Sequence, residues 1–144
     1  MSPLRVSIVV LNYNYAGFLP SSIGGACRQD WPHCEVIVVD DASNDESRAV
    51  IAAYGEQVRT VLQPENRGHG AGINAGFAVA WGDLVIFLDA DDFLRPTAAR
   101  RLVENASASE PPQLLVQDTT EVDLSHHPKT KGLSQVGNER GRGL

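Results

Sequence analysis

Leu84-Val85-Ile86-Phe87-Leu88-Asp89-Ala90-Asp91-Asp92 decides the fold. Leu84 to Leu88 is apolar without a break, which suits a strand covered on both faces, as a central strand of a parallel sheet is. The run then ends abruptly in carboxylates. Open α/β sheets bind ligands outside the carboxyl ends of their strands, so this acidic end marks a candidate site. In an extended chain Asp89 and Asp91 project to one side and Ala90 to the other. Carboxylates that close resist joint ionisation unless a cation or ordered donors compensate them. An all-oxygen donor set favours Mg²⁺ or Mn²⁺ over zinc, and magnesium is commonly held by one or two carboxylates plus substrate phosphates. The ordinary alternative is a solvated acidic turn, and this stretch alone does not separate the two.

Outward from that run, β-branched apolar stretches alternate with helical spacing, the pattern of βαβ units in a mostly parallel, Rossmann-like sheet with helices on both faces. Strands are predicted over 6–11, 35–39, 58–62 and 84–88, with a short one over 114–116. Phe18, Leu19, Ile23 and Ala26 space a first helix that Trp31-Pro32 ends. Val50, Ile51 and Tyr54 mark a second, capped by Ser43 or Asn44 and terminated at Gly55. A third covers 71–81 with Ile73, Phe77 and Ala80 buried, and Pro96-Thr97 opens a fourth through Leu102 and Val103. From Asp118 the isolated apolar residues lie among charges, glycines and histidines, so residues 118–144 are expected to be a poorly ordered tail after a domain over 1–117.

The chain of 144 residues has the size of one compact domain. Eighteen acidic against 12 basic residues give a formal net charge of -6, which argues against a nucleic-acid surface and its clustered basic stripe. Cys27 and Cys34 have no His/Cys neighbours at zinc spacing and make no disulfide framework, so a reduced, cytoplasmic setting is expected. No secretory signal precedes Asn12-Tyr13-Asn14, and no apolar run approaches the roughly 20 residues that cross a bilayer. Association with a membrane would be peripheral.

Three strand ends carry polar groups: Asn12 to Asn14, Asp40-Asp41, and Asp89 to Asp92. In a parallel sheet these share one rim, as the site of a polar ligand would. An Asx turn with helix capping explains Ser43 and Asn44 without any ligand, but it does not require Asp40. Between Asn66 and Gly76 glycines surround a predicted helix start, where backbone N–H groups can approach a phosphate. Gly70 to Ala75 also satisfies G-x-G-x-x-A, the sole basis for a nicotinamide-dependent (NAD) oxidoreductase. Against it, Pro64 to Arg67 separate the glycines from the strand, and one ribose needs one carboxylate. Gly76, inside the helix, is read as a packing residue. His33, His69, His126 and His127 show no ligand spacing beyond the tail pair and are read as surface residues, with His69 set apart by its glycine loop. Trp31 and Trp81 are read as core edges, and Arg67 either neutralises a phosphate or is solvated.

These residues, in this order, resemble the nucleotide-binding half of the family 2 glycosyltransferases, which have the A-type fold. Ser7 to Asn14 is similar to that family's first strand and nucleotide loop, and Glu35 to Asp45 to its V-D-D-x-S-x-D segment. Asn66 to Gly82 resembles N-x-G-x-x-x-A-x-N-x-G-x-x-x-A-x-G, with Gly72 where alanine is usual, and Leu88 to Asp92 resembles the metal-binding D-x-D element. The similarity covers about residues 5 to 117.

The resemblance implies a nucleotide-diphosphate-sugar donor site formed by Asn12, Tyr13, Asn14, Asp40, Asp41, Arg67, Gly68, Asn74, Asp89, Ala90, Asp91 and Asp92. Asn12 and Tyr13 would line the nucleotide pocket, and Asp40 or Asp41 would contact the base. Asp89 and Asp91 would hold ribose and metal, Mg²⁺ or Mn²⁺, while Asp92 would help position the donor. Several relatives place an arginine or lysine before the asparagine matching Asn74; Ile73 stands there, and Arg67 is the candidate substitute. The implied reaction is a metal-assisted, inverting sugar transfer to a saccharide, lipid or protein, of the kind used in cell-wall or polysaccharide biosynthesis. Its acceptor base is expected in a downstream half that these residues do not reach. The rival expectation is a donor-binding remnant without turnover.

Overall fold

The computed structural model describes residues 2–108 and two short strand segments beyond them. The elements run β1 (Val6–Asn12), α1 (Leu19–Cys27), β2 (Cys34–Asp40), α2 (Ser47–Ala52), a 3-10 turn (Gly55–Gln57), β3 (Arg59–Leu62), α3 (His69–Val79), β4 (Leu84–Asp89) and α4 (Ala98–Ala108). The separate segments β5 (Gln113–Leu114) and β6 (Ser134–Gln135) pair in parallel. Apart from these pieces, the predicted 114–116 strand and the 118–144 tail lie outside the described residues.

The main sheet has the order β3-β2-β1-β4, and every neighbouring pair is parallel. Both central strands, β1 and β2, are buried almost throughout, which accounts for the apolar stretches Ile8 to Leu11 and Val36 to Val39. Alternation then divides the strand side chains between two layers. Ile8, Val10, Val38 and Ile86 face one way and pack with Leu19, Ile23, Ile51, Ala99 and Leu102 of α1, α2 and α4. Val9, Leu11, Ile37, Val39 and Phe87 face the other way, against Ile73 and Phe77 of α3. The sheet is therefore covered on both faces, as predicted.

Helix α3 lies close to the sheet where Gly72 and Gly76 face it between Ile73 and Phe77. A Cβ at Gly76 would stand 2.3 Å from Val9 Cγ1, so no larger side chain fits without displacing β1 or the helix. Gly76 is a packing residue, as its place in the sequence suggests. The helix begins two residues earlier than predicted because Gly68, at φ 88°, turns the chain into it. Capping of α2 also differs from expectation. Neither Ser43 nor Asn44 serves; Glu46 stands at the cap position without a side-chain bond, and Asp45 Oδ1 accepts from the Ser47 N–H at 2.9 Å. Ser43 is instead engaged with Asp40 and Asn12.

Trp31 donates its indole N–H to the Leu4 carbonyl at 2.9 Å and packs against the larger core cluster. Trp81 lies at an edge, with the Arg5 guanidinium 5.4 Å from its ring centroid. Among the described residues no helix is long and apolar enough to cross a membrane.

Candidate functional site

From β1 the chain proceeds to β2 and β3 on one side, and α3 then returns it to β4 on the other side of β1. The reversal opens a crevice beyond the carboxyl ends of β1 and β4, where doubly wound sheets take their ligands. Register places Leu11 beside Asp89 and Asn12 beside Asp40. A cavity of about 360 Å³ opens there, a size suited to a small ligand.

Asn12, Tyr13, Asp41, Gly68, Asp89, Ala90 and Asp91 line this cavity, so three strand ends and the glycine loop converge on it. Asp89, Asp91 and Asp92 each offer a carboxylate oxygen, and these oxygens lie within 4.8 Å of one another. Strand alternation is not what gathers them. The chain turns after β4, with the Asp92 N–H donating to the Asp89 carbonyl at 2.9 Å, and this turn also brings in Asp92. Ala90 is buried in the opposite layer, as alternation predicts. Three hard oxygen donors fit a divalent cation of the Mg²⁺ or Mn²⁺ type.

Asp40 and Asp41, alike in sequence, have different surroundings. Asp40 is fully buried and accepts from Asn12 Nδ2 at 2.9 Å, Ser43 Oγ at 2.6 Å, the Ser43 N–H at 3.1 Å and Arg48 Nε at 2.9 Å. Burial alone would raise its pKa, but the bonds from Ser43, Arg48 and Asn12 outweigh burial and hold the carboxyl below its usual value. Asp40 therefore does not line the cavity; it fixes Asn12. Asp41 faces the cavity, and its two oxygens accept from the Arg67 and Gly68 N–H groups at 2.8 Å each. It ties the glycine loop to the end of β2.

The other expected residues are placed elsewhere. Asn14, at φ 56°, accepts from the Asn44 N–H through Oδ1 at 2.9 Å and joins the β1 loop to the β2 loop. The Arg67 guanidinium turns outward onto Glu65, at 3.3 and 3.2 Å, rather than toward the cavity. Asn74 is exposed on α3 and is not among the lining residues. Asp92 adjoins the cavity only through the acidic cluster.

Tyr15, Asn66, His69 and Gly72 line the cavity without having been assigned to it. Their neighbours in sequence carried the signal for Tyr15 and Asn66, and the glycine loop carried it for His69. His69 Nε2 stands 3.6 Å from Asp89 Oδ1. Arg48, which secures Asp40, has no sequence signal, because its contact exists only once α2 folds back on β2. Cys27 and Cys34 are free thiols, and burial raises both, Cys34 to about 11, so neither is an activated nucleophile. The segment Gly70 to Ala75 lies within α3, six residues (63–68) after β3, and so lacks the tight strand-to-helix turn of a dinucleotide fingerprint.

A parallel sheet covered on both faces, with an acidic turn and a polar cavity at its switch point, defines an α/β domain with a ligand crevice at the carboxyl ends of its strands. The chain belongs to glycosyl transferase family 2, whose family model matches residues 7–133. It is 40% identical over 110 residues to an uncharacterized glycosyltransferase of Nostoc sp., a match covering 74% of this chain and 34% of that protein. The chain thus spans about a third of the length of the curated relatives it matches. Its fold is similar to that of S. aureus TarS 1-349 in complex with UDP-GlcNAc, with TM-score 0.68 and 24% identity over 73% of this chain and 32% of that one. It is also similar to the mannosyltransferase PcManGT from Pyrobaculum calidifontis in complex with GDP-Man and Mn²⁺, with TM-score 0.60 and 29% identity over 74% of this chain and 32% of that one. The fold is that of the A-type glycosyltransferases.

Proposed function

We propose that this chain forms the donor site of a metal-assisted glycosyltransferase that takes a sugar from a nucleoside-diphosphate sugar and inverts its anomeric centre. The carrying observation is the cluster of Asp89, Asp91 and Asp92 at the mouth of the cavity that Asn12, Tyr13 and Asp41 line. In this reading Asp89 and Asp91 hold Mg²⁺ or Mn²⁺ and the ribose, and Asp92 helps position the donor. A bound divalent cation would neutralise the charge that develops on the departing diphosphate. Asn12 and Tyr13 receive the nucleoside, and Asp41, which faces the cavity where Asp40 does not, is the carboxylate placed to meet the base. Asp40 acts through Asn12. A cytoplasmic setting belongs to the same reading and suits the free thiols of Cys27 and Cys34.

Calorimetric titration of the chain with UDP-GlcNAc and GDP-Man, with and without Mn²⁺, tests the proposal. Metal-dependent binding that Asp89→Ala or Asp91→Ala abolishes is expected. Affinity that survives both substitutions, or binding of NAD in place of either sugar nucleotide, overturns the site. Metal-dependent binding without turnover would retain the donor site and remove transfer by this polypeptide alone.

A further inference from the structure

We infer that His69 supplies the side-chain N–H that receives the diphosphate of the donor, an inference that rests on the donor reading above. The cavity wall is acidic, with Asp41, Asp89 and Asp91 all on it, so a diphosphate entering it needs hydrogen-bond donors as well as a cation. Several of the nearby donors are committed, and those on Tyr13, Tyr15 and Asn66 are neutral. Both hydrogens of the Asn12 amide go to Asp40 and Ser43, the Arg67 and Gly68 N–H groups go to Asp41, and the Arg67 guanidinium rests on Glu65. Among the described lining residues, His69 has the only side chain able to carry positive charge. Its Nε2 lies 3.6 Å from Asp89 Oδ1, beside the carboxylates that would hold the metal, and so on the wall that the diphosphate would meet. In either protonation state the ring keeps an N–H.

Two further observations agree. His69 is the first residue of the 11-residue helix α3, whose amino end has no side-chain cap and no acid in its first turn, so the positive end of the helix reinforces the same anion. Asn12 is 4% exposed and lines the same cavity, yet its Oδ1 has no hydrogen-bond partner; this acceptor suits an N–H of the nucleobase, so it is a sign that a ligand completes this wall beside the diphosphate, not a contact to the diphosphate itself. Ile73, on the same helix, is buried in the α3 layer and offers nothing to a phosphate.

The test compares a nucleoside diphosphate with its monophosphate, UDP with UMP or GDP with GMP, whichever diphosphate the unmodified chain binds with Mn²⁺. His69→Ala is expected to weaken the diphosphate about tenfold while changing the monophosphate less than twofold, the size of a hydrogen bond to a charged group. His69→Gln, which keeps an N–H donor, is expected to restore most of the loss. Equal losses for both ligands, no loss, or failure of His69→Gln to rescue would overturn the role of His69 and leave the donor site standing. Binding of neither diphosphate by the unmodified chain would overturn both, and an unchanged melting temperature in each variant excludes misfolding as the cause.

Discussion

Asn12 and Asp40 face each other in register across β1 and β2, and the Asn12 amide donates to Asp40 Oδ1 at 2.9 Å. The pair explains why two adjacent aspartates at one strand end do different work. Asp40 accepts only, so its carboxylate forces the Asn12 amide to turn its NH₂ inward, and Ser43 takes the second hydrogen.

That arrangement predicts an acid-sensitive joint. The folded pKa of Asp40 lies below the ordinary 3.8, so the unfolded chain binds this proton more tightly than the folded one. The stabilisation is complete above the unfolded value and is lost as pH falls through the folded value, below about 3.8. Melting temperatures of the unmodified chain and Asp40→Asn, followed from pH 7 to pH 3, check this. Asp40→Asn is expected to cost about 1–3 kcal/mol at pH 7 and to flatten the acid limb. An equally steep limb in the variant would remove Asp40 from the acid response.

The acidic turn predicts an opposite pair of effects on stability. Three carboxylates whose oxygens lie within 4.8 Å repel one another without a cation, so Asp91→Asn is expected to raise the melting temperature of metal-free protein. Mn²⁺ is expected to stabilise the unmodified chain by about 2.7 kcal/mol at a hundredfold excess over Kd, and Asp91→Asn to abolish that shift. Thermal melts over a Mn²⁺ series read both effects. An identical shift in the two proteins would place the ion elsewhere.

Much of this architecture was legible in the residues. The apolar runs at Val6 to Leu11, interrupted only by Ser7, and at Leu84 to Leu88 announce strands buried on both faces, and Asp89 announces the rim, because those features depend only on local composition and alternation. The differing fates of Asp40 and Asp41 were not legible. They depend on Arg48 folding back from α2 and on the Gly68 N–H arriving from a loop 27 residues away. The direction of Arg67 was equally hidden, since its choice of Glu65 over the cavity is settled by the loop conformation that Asp41 imposes. Asp92 joined the acidic cluster through a turn that an extended-chain argument cannot supply.

Gly76 and Gly72, one turn apart on α3, are expected to respond in opposite directions to alanine. At Gly76 the new Cβ meets Val9 Cγ1 at 2.3 Å and Val39 Cγ2 at 3.1 Å, so Gly76→Ala forces overpacking, at a cost of about 1–3 kcal/mol. At Gly72 the nearest atom is Leu11 Cδ2 at 3.4 Å, an ordinary contact, and alanine gains about 0.5–1 kcal/mol of helix preference. Denaturant unfolding of the two variants separates them. A loss at Gly72 as large as that at Gly76 would contradict the spacing of α3 from the sheet.

Glu35 provides the complementary case, a buried carboxylate at the amino edge of the sheet, away from the cavity. Its Oε1 accepts from Ser7 Oγ at 2.5 Å and the Trp81 N–H at 2.7 Å, and its Oε2 accepts from Arg59 Nη1 at 2.9 Å. Ser7 Oγ accepts in turn from the Gly82 N–H at 2.8 Å, so one side chain joins β1, β2, β3 and the entry to β4. Glu35→Gln replaces an acceptor-only group with one whose NH₂ must face donors, and leaves Arg59 without its buried counter-charge, held only by its bond to the Val79 carbonyl at 2.7 Å. A loss of about 1–3 kcal/mol is expected, with sugar-nucleotide affinity unchanged in the protein that remains folded. Because Glu35 touches none of the cavity-lining residues, a drop in affinity at full folding would show that the two ends of the sheet are coupled through β1, and would count against the separation of frame and site on which the donor assignment is built.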